Sequence, residues 1–196
     1  MAGAVVAKKV ARPLLPAPSL GAGDVLRVPR AFSRSECATL IDLARGQVRH
    51  ADQFLYSGEV RGASEVYWLK IKLAPEWLIG RINSLFADAA LQFGFDVSGP
   101  LEDLKLMKYR RNNRVAWHVD CGGGETRTRK LTLTVLLSAP DSFSGGALTV
   151  AGDTAELHRD IGDVVIFPAF LAHKVTTVLS GTRHTMIAWA HGTPFR

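Results

Sequence analysis

Apolar positions recur at helical spacing in the first half of the chain and in short, turn-broken runs in the second. An extended run, Asp24-Val25-Leu26-Arg27-Val28, comes first. Ser33 then has Glu36 three residues on, the spacing of a capping box. Cys37, Leu40, Ile41 and Ala44 line one helical face that ends at Gly46. Val66-Tyr67-Trp68-Leu69-Lys70-Ile71 predicts a strand. Pro75, suited to the first helical position, opens a second apolar face of Trp77, Leu78, Ile82, Leu85, Phe86, Ala89 and Phe93, with Gly94 as its cap. A helix packed outside a sheet explains these aromatics better than a ligand box does. From Leu101 onward, strands are predicted over 104–109, 115–120, 131–138, 147–151, 164–167, 174–179 and 183–190. The turns between them include Cys121-Gly122-Gly123-Gly124, Ser144-Gly145-Gly146, Ile161-Gly162-Asp163 and Ser180-Gly181. Helices followed by seven or eight short strands describe an α+β domain on a β-sandwich or barrel. Residues 1–22, mixing Ala, Val and Pro with basic residues, are expected to be a flexible arm ahead of a single domain over 23–196.

Composition narrows the class. A length of 196 residues suits one domain with a sizeable core, and 47% hydrophobic with 21% charged residues is typical of a soluble globular chain. No apolar run approaches the roughly 18 residues of a membrane span, so no membrane association is expected. The opening nine residues lack the apolar region of a secretory signal. Two cysteines, Cys37 and Cys121, form no disulfide or zinc pattern, and a reducing, cytoplasmic location is expected. The net charge of +6 admits an acidic partner. The basic residues are scattered, however, with short clusters at Lys108-Tyr109-Arg110-Arg111 and Arg127-Thr128-Arg129-Lys130. They fit a solubilising surface, with some attraction for small anions, better than a nucleic-acid footprint. There is no Walker loop or dinucleotide fingerprint, and no helix pattern follows Gly122-Gly123-Gly124.

Candidate chemistry centres on Trp117-His118-Val119-Asp120. On a strand, His118 and Asp120 would face the same way, offering a nitrogen and a carboxylate to one divalent metal. His173 is the candidate third ligand. Two His and one carboxylate form the facial triad of non-haem Fe(II) oxygenases, which leaves positions open for substrate and O₂. A His-x-Asp pair alone is a weak signal, but it does not stand alone. The order His118-x-Asp120, Gly162-Asp163, Phe167-Pro168, His173, Gly181-x-Arg183, Trp189 resembles the 2-oxoglutarate/Fe(II) dioxygenases, and within them the prolyl 4-hydroxylase-like branch. The resemblance runs from about Ala31 to Arg196, and Ala31 to Cys37 resembles that branch's opening helix.

The resemblance implies a double-stranded β-helix (jelly-roll, cupin-like) buttressed by amino-terminal helices. It implies Fe(II) on His118, Asp120 and His173, 2-oxoglutarate as cosubstrate, O₂, and ascorbate as an accessory reductant. Arg183 matches the family's anchor for the distal carboxylate; a buried charge needs a partner, and arginine offers a bidentate fork that never loses its proton. Tyr109, nine residues before His118, matches a family Tyr that reaches the cosubstrate. Thr185 and Trp189 share the Arg183 face, the first adding a hydroxyl and the second an apolar wall. Many relatives carry a Tyr where this chain has Leu136, so Tyr109, Thr134 or Thr185 would have to replace it. Asn112-Asn113-Arg114 stands where relatives show a Gly-containing turn, and Asn tolerates the left-handed region required there.

The activity implied is hydroxylation of an unactivated C–H bond, with succinate and CO₂ as co-products. Asp120 favours hydroxylation over halogenation, which requires a small residue at that place. A peptidyl, prolyl-type residue is the leading substrate, and a free amino acid or other small metabolite the second. The nucleic-acid demethylase branch carries a further Arg six residues after its cosubstrate Arg, where this chain has Trp189. A non-catalytic β-sandwich binding module would not need His118, Asp120, His173 and Arg183 together. Substrate access is expected to be shaped by a loop over 49–61 and by the glycines after Asp120. His158 and His184 read as surface groups, His191 has no partner in the pattern, and alternation sends Cys121 away from the metal.

Overall fold

Strand alternation, with helices on one side of the larger sheet and a second layer of strands on the other, sets the architecture. The computed structural model describes residues 25–46, 49–56, 59–153 and 156–195. In chain order these form β1 (Leu26–Val28), α1 (Arg34–Arg45), β2 (Arg49–Tyr56), β3 (Glu59–Leu69), α2 (Glu76–Phe93), β4 (Leu104–Tyr109), β5 (Val115–His118), β6 (Arg129–Leu136), β7 (Phe143–Gly145), β8 (Leu148–Val150), β9 (Val164–Pro168), β10 (His173–Val175), β11 (Val178–Gly181) and β12 (Arg183–His191). The strand order is β1-β9-β6-β12-β4-β3-β5-β10-β8, with β2 also on β3 and a separate β11–β7 ribbon. The long β3 joins two layers: Glu65 to Leu69 pair with β4, whereas Gly62 pairs with Val115 of β5. Two facing antiparallel layers connected in this way are a double-stranded β-helix, in an α+β fold.

Two apolar clusters lie on opposite sides of the larger sheet. Leu131, Leu133 and Val135 of β6, Met186, Ala188 and Ala190 of β12, and Leu104 and Leu106 of β4 meet the helices. The helices contribute Cys37, Leu40, Leu78, Ile82 and Phe86. Residues of opposite parity, among them Met107, Tyr109, Val165 and Phe167, pack between the layers with Val115, Val150 and Val175. Thr132, Thr134, Arg183 and Thr185 share this inward parity and are also buried. Thr132, Thr134, Arg183 and Thr185 thus place buried polar groups in the space between the layers.

The helices follow the pattern. Ser33 and Glu36 form the capping box, with Glu36 N donating to Ser33 Oγ at 3.2 Å and Ser33 N to Glu36 Oε2 at 2.8 Å. Arg81 of α2 donates to Glu36 at 2.7 Å and ties the helices together. Gly94 caps α2 at φ 69, and Pro75 is its N-cap, one residue outside the helix. Gly162, at φ 83, is a junction: its N–H donates to Leu136 O and its carbonyl accepts from Phe32 N. A Cβ there would lie 1.8 Å from Phe32 O, so only glycine lets α1 approach the sheet.

Several expectations need correcting. The stretch over 49–61 includes strand β2 and the start of β3, not a loop. The single strand expected over 174–179 is two, because β10 pairs with β5 and β8 while β11 pairs with β7. The predicted turn at Ser144-Gly145-Gly146 overlaps β7. Asn112 does adopt a left-handed conformation, at φ 70. The arm over 1–22 lies outside the described residues. Among the described residues no helix is long and apolar enough to cross a membrane.

Candidate metal centre

His118 closes β5 and His173 opens β10, and the two are direct partners in the antiparallel register. Their rings lie close, with centroids 4.2 Å apart and planes tilted by 49°. Asp120 lies beyond the end of β5, so strand alternation is not what brings it to the histidines. Its backbone N–H donates to Ala169 O at 2.9 Å, and that of Cys121 to the same oxygen at 3.1 Å. Ala169 immediately follows β9, and its own N–H is held by Lys130 O of β6. The loop after β5 is therefore pinned to the opposite layer, carrying the carboxylate with it.

The three side chains converge. Asp120 Oδ1 lies 3.6 Å from His118 Nε2, and Oδ2 lies 3.5 Å from His173 Nε2. The potential ligand atoms of all three lie within 4.8 Å of one another. These separations exceed hydrogen bonds and leave room for an ion between the donors. The ring tautomers agree. His118 Nδ1 is 2.9 Å from Ala116 O and His173 Nδ1 is 3.0 Å from Leu171 O. A carbonyl only accepts, so each Nδ1 carries the hydrogen and each Nε2 presents a lone pair. Burial, with the charge of His173 second, lowers the His118 pKa and favours the neutral ligand form. Burial raises that of Asp120, but the two imidazoles and two hydrogen bonds outweigh it, and the net shift is downward.

Those two hydrogen bonds form an outer layer around the carboxylate. Thr132 Oγ1 donates to Asp120 Oδ2 at 2.7 Å and Trp189 Nε1 to the same oxygen at 3.0 Å. Arg129 lies over the Trp189 ring, 3.8 Å from its centroid, donates to Asp120 O at 3.3 Å and pairs with Glu102. Glu102 in turn lies 2.9 Å from His191 Nε2, and His191 Nδ1 is 2.9 Å from Thr128 Oγ1. Trp189 thus has a polar task beyond the apolar wall expected of it, and His191 has the partners that the sequence pattern did not supply. Thr132 was not anticipated; its inward parity with Thr134 was the available signal.

Deeper between the layers, Arg183 pairs with Tyr109 across β12 and β4, its guanidinium 5.2 Å from the Tyr109 ring. It is 2% exposed, and its Nη1 has no hydrogen-bond partner among the described residues. Burial lowers its pKa, though not enough to discharge an arginine. Burial also pushes the Tyr109 phenol up to about 12, against the pull of Arg183 and Thr185. The Tyr109 hydroxyl donates to Met107 Sδ at 3.1 Å. Gly146 borders this site, where a Cβ would come 2.9 Å from Arg183 Cδ. Leu136, opposite Thr185 in the register, is buried. His158 is no surface group: its Nδ1 is enclosed. His184 is half-buried, with its Nδ1 3.3 Å from Ser138 Oγ.

Residues 104–191 match the profile of the 2OG-Fe(II) oxygenase superfamily. The match begins with β4 and takes in the triad and Arg183. The likeness to the 2OG-Fe(II) oxygenase superfamily extends to curated relatives and, in fold, to solved structures. Among relatives, it is 31% identical over 111 residues to a PKHD-type hydroxylase of Synechococcus sp., covering 55% of this chain and 50% of that one. It is 36% identical over 116 residues to the PKHD-type hydroxylase YbiX of Escherichia coli, covering 55% and 48%. The chain thus spans about half the length of the curated relatives it matches. In fold it is similar to a Pseudomonas putida prolyl-4-hydroxylase (TM-score 0.68, 12% identity, 86% of this chain and 92% of that one). It is also similar in fold to a Trichoplax adhaerens prolyl hydroxylase in complex with a hypoxia inducible factor peptide (TM-score 0.65, 14% identity, 87% and 84%).

The outer layer around the carboxylate yields a prediction. Trp189→Phe keeps the ring and removes the donor to Asp120, and is expected to weaken Mn(II) binding about tenfold. Equal affinity in a metal titration would mean that Thr132 alone orients the carboxylate.

Proposed function

We propose that the protein is an Fe(II)- and 2-oxoglutarate-dependent hydroxylase acting on a peptidyl, prolyl-type residue. The observation that carries this reading is the buried guanidinium of Arg183, whose Nη1 is unsatisfied within the same layer interior as the His118, Asp120 and His173 cluster. A buried cation with an open donor fits the distal carboxylate of a dicarboxylate cosubstrate. Two imidazole lone pairs and one carboxylate fit Fe(II). When bound, Fe(II) and 2-oxoglutarate supply oxidative decarboxylation by O₂, to succinate and CO₂, coupled to C–H hydroxylation.

The chain's own residues prepare that chemistry. Thr132 and Trp189 hold Asp120 Oδ2 and so fix the carboxylate, with Oδ2 toward His173 and Oδ1 toward His118. The Nδ1 bonds to Ala116 and Leu171 fix the orientation of both imidazoles. Arg183 binds the far carboxylate, and Tyr109, kept protonated by burial, lies against it as an uncharged donor. Thr185 stands beside them on the inward face and takes part of the role of the missing tyrosine, while Leu136 excludes water. Likeness to relatives described as hydroxylases, and to a fold neighbour in complex with a peptide, supports a peptidyl substrate. The two free cysteines fit a reducing, cytoplasmic setting.

Succinate release tests the reading. Anaerobically Fe(II)-loaded protein is exposed to O₂ with 2-oxoglutarate, alone and with proline-containing peptides or free amino acids. Turnover that peptides stimulate and His118→Ala abolishes is the expected result. Stimulation by free amino acids alone would move the substrate to small metabolites. Failure to bind both Fe(II) and 2-oxoglutarate would remove the enzymatic reading.

A further inference from the structure

Of the three candidate ligands, Asp120 alone lies outside a strand, so no ladder of hydrogen bonds fixes its main chain. Its N–H is held by the Ala169 carbonyl oxygen. Its own carbonyl oxygen accepts from Arg129 Nη1 at 3.3 Å. The same guanidinium lies 3.8 Å from the centroid of the Trp189 ring, whose Nε1 donates to Asp120 Oδ2 at 3.0 Å. Arg129 thus reaches the main chain of Asp120 directly and its carboxylate through the indole.

Arg129 is itself held. It opens β6, and its Nε donates to Glu102 Oε1 at 2.6 Å while Nη2 donates to Glu102 Oε2. A planar fork on a carboxylate fixes the plane of the guanidinium as well as its position. The Arg129 side chain is 13% exposed, which sets the pair apart from an open surface ion pair. Glu102 also lies 2.9 Å from His191 Nε2, and His191 ends β12 two residues after Trp189. Arg129 on β6 and Glu102, two residues before β4, approach from the two strands that flank β12. The pair therefore brackets the end of the strand that carries the indole.

We infer that Arg129 is a positioning residue for the metal centre, clamping Asp120 at its carbonyl and through Trp189, with Glu102 as the counterion that fixes the clamp. The inference rests on the reading of His118, Asp120 and His173 as a metal site. Charge supplies a test of sign. A guanidinium near a divalent cation repels it, so by charge alone its removal tightens metal binding. Positioning acts the other way. Freeing the Asp120 carbonyl and the Trp189 ring lets the carboxylate drift from its alignment with the two imidazoles. Partners that orient a metal ligand are worth about 10- to 100-fold in affinity. Glu102 cancels the charge of Arg129, so the pair orients Asp120 without setting a net positive charge beside the cation.

Titration of the full chain with Mn(II), followed by electron paramagnetic resonance, tests this in wild type, Arg129→Met and Arg129→Lys. Arg129→Met covers the indole but loses the charge and the donors, and is expected to bind Mn(II) about tenfold more weakly despite the removed repulsion. Arg129→Lys keeps the charge, but an ammonium cannot reproduce the planar fork, so its affinity should fall between the other two. The zero-field splitting of bound Mn(II) should shift in both variants, a change that a loss of fold stability alone would not produce. Adding Trp189→Phe to Arg129→Met should cost less than the product of the separate losses, because both act through one indole. Binding by Arg129→Met as tight as wild type, or tighter, would overturn the role of Arg129 and leave the proposed function standing. Should Arg129→Met fail to fold, Arg129→Lys decides: weakened binding at unchanged charge supports the clamp, and wild-type affinity overturns it. No Mn(II) binding by wild type would remove the metal centre and both readings with it.

Discussion

Asp120→Ala is expected to weaken Mn(II) or Fe(II) binding by more than roughly 100-fold, beyond the loss typical of an outer-layer partner. The carboxylate is the single anionic member of the cluster. Without it, two neutral imidazoles face a divalent cation, and the donors on Thr132 and Trp189 lose their acceptor. Asp120→Asn separates the two effects. It preserves shape and one acceptor, so the fold and thermal midpoint should hold while metal affinity still falls by at least about tenfold. Electron paramagnetic resonance titration of Mn(II) reads this directly. Wild-type affinity in Asp120→Asn would mean that the metal, if bound, sits elsewhere.

Arg183→Leu is expected to move function and stability in opposite directions. Loss of the guanidinium should reduce 2-oxoglutarate affinity by more than roughly 100-fold, the scale for removing a charge-assisted bidentate contact. In the unliganded protein, however, Arg183 is a buried cation with an unsatisfied nitrogen. Burying an ion costs several kcal/mol unless it is paired, so an apolar replacement of similar reach should leave the unliganded thermal midpoint unchanged or raise it. Saturating 2-oxoglutarate should raise the midpoint of wild type only. A marked fall in the unliganded midpoint of Arg183→Leu would show that Arg183 stabilises the fold through the Tyr109 contact, contrary to its reading as a ligand anchor.

Periodicity made the helices and most strands legible, because each buries one face. The Ser33–Glu36 box and the Gly94 cap specify their helix ends through local hydrogen bonds, and such signals survive without tertiary context. The split between β10 and β11 was not legible, since Thr176 and Thr177 carry no turn signature and only the partner strands decide the break. Nor was the way Asp120 reaches the histidines. That depends on Ala169 O, whose side chain says nothing of its carbonyl. Residue identity and order pointed to His118, Asp120, His173 and Arg183. The positions of Thr132 and Arg129 around them depend on register and loop packing, to which a linear pattern is blind.

The placement of β12 has a consequence for biosynthesis. It follows every other described strand in the chain, yet it lies between β6 and β4 in the larger sheet. Until residues 183–191 leave the ribosome, β4 and β6 each present an unpaired edge, and β1 waits for β9 far along the chain. Such non-local pairing folds slowly and leaves apolar edges open to misassociation. Arg183 and Trp189 ride on the same strand, so the nascent chain acquires its closed sheet and the proposed cosubstrate anchor in one late step. An incomplete translation product would be aggregation-prone and would lack the residues on which the proposed function rests.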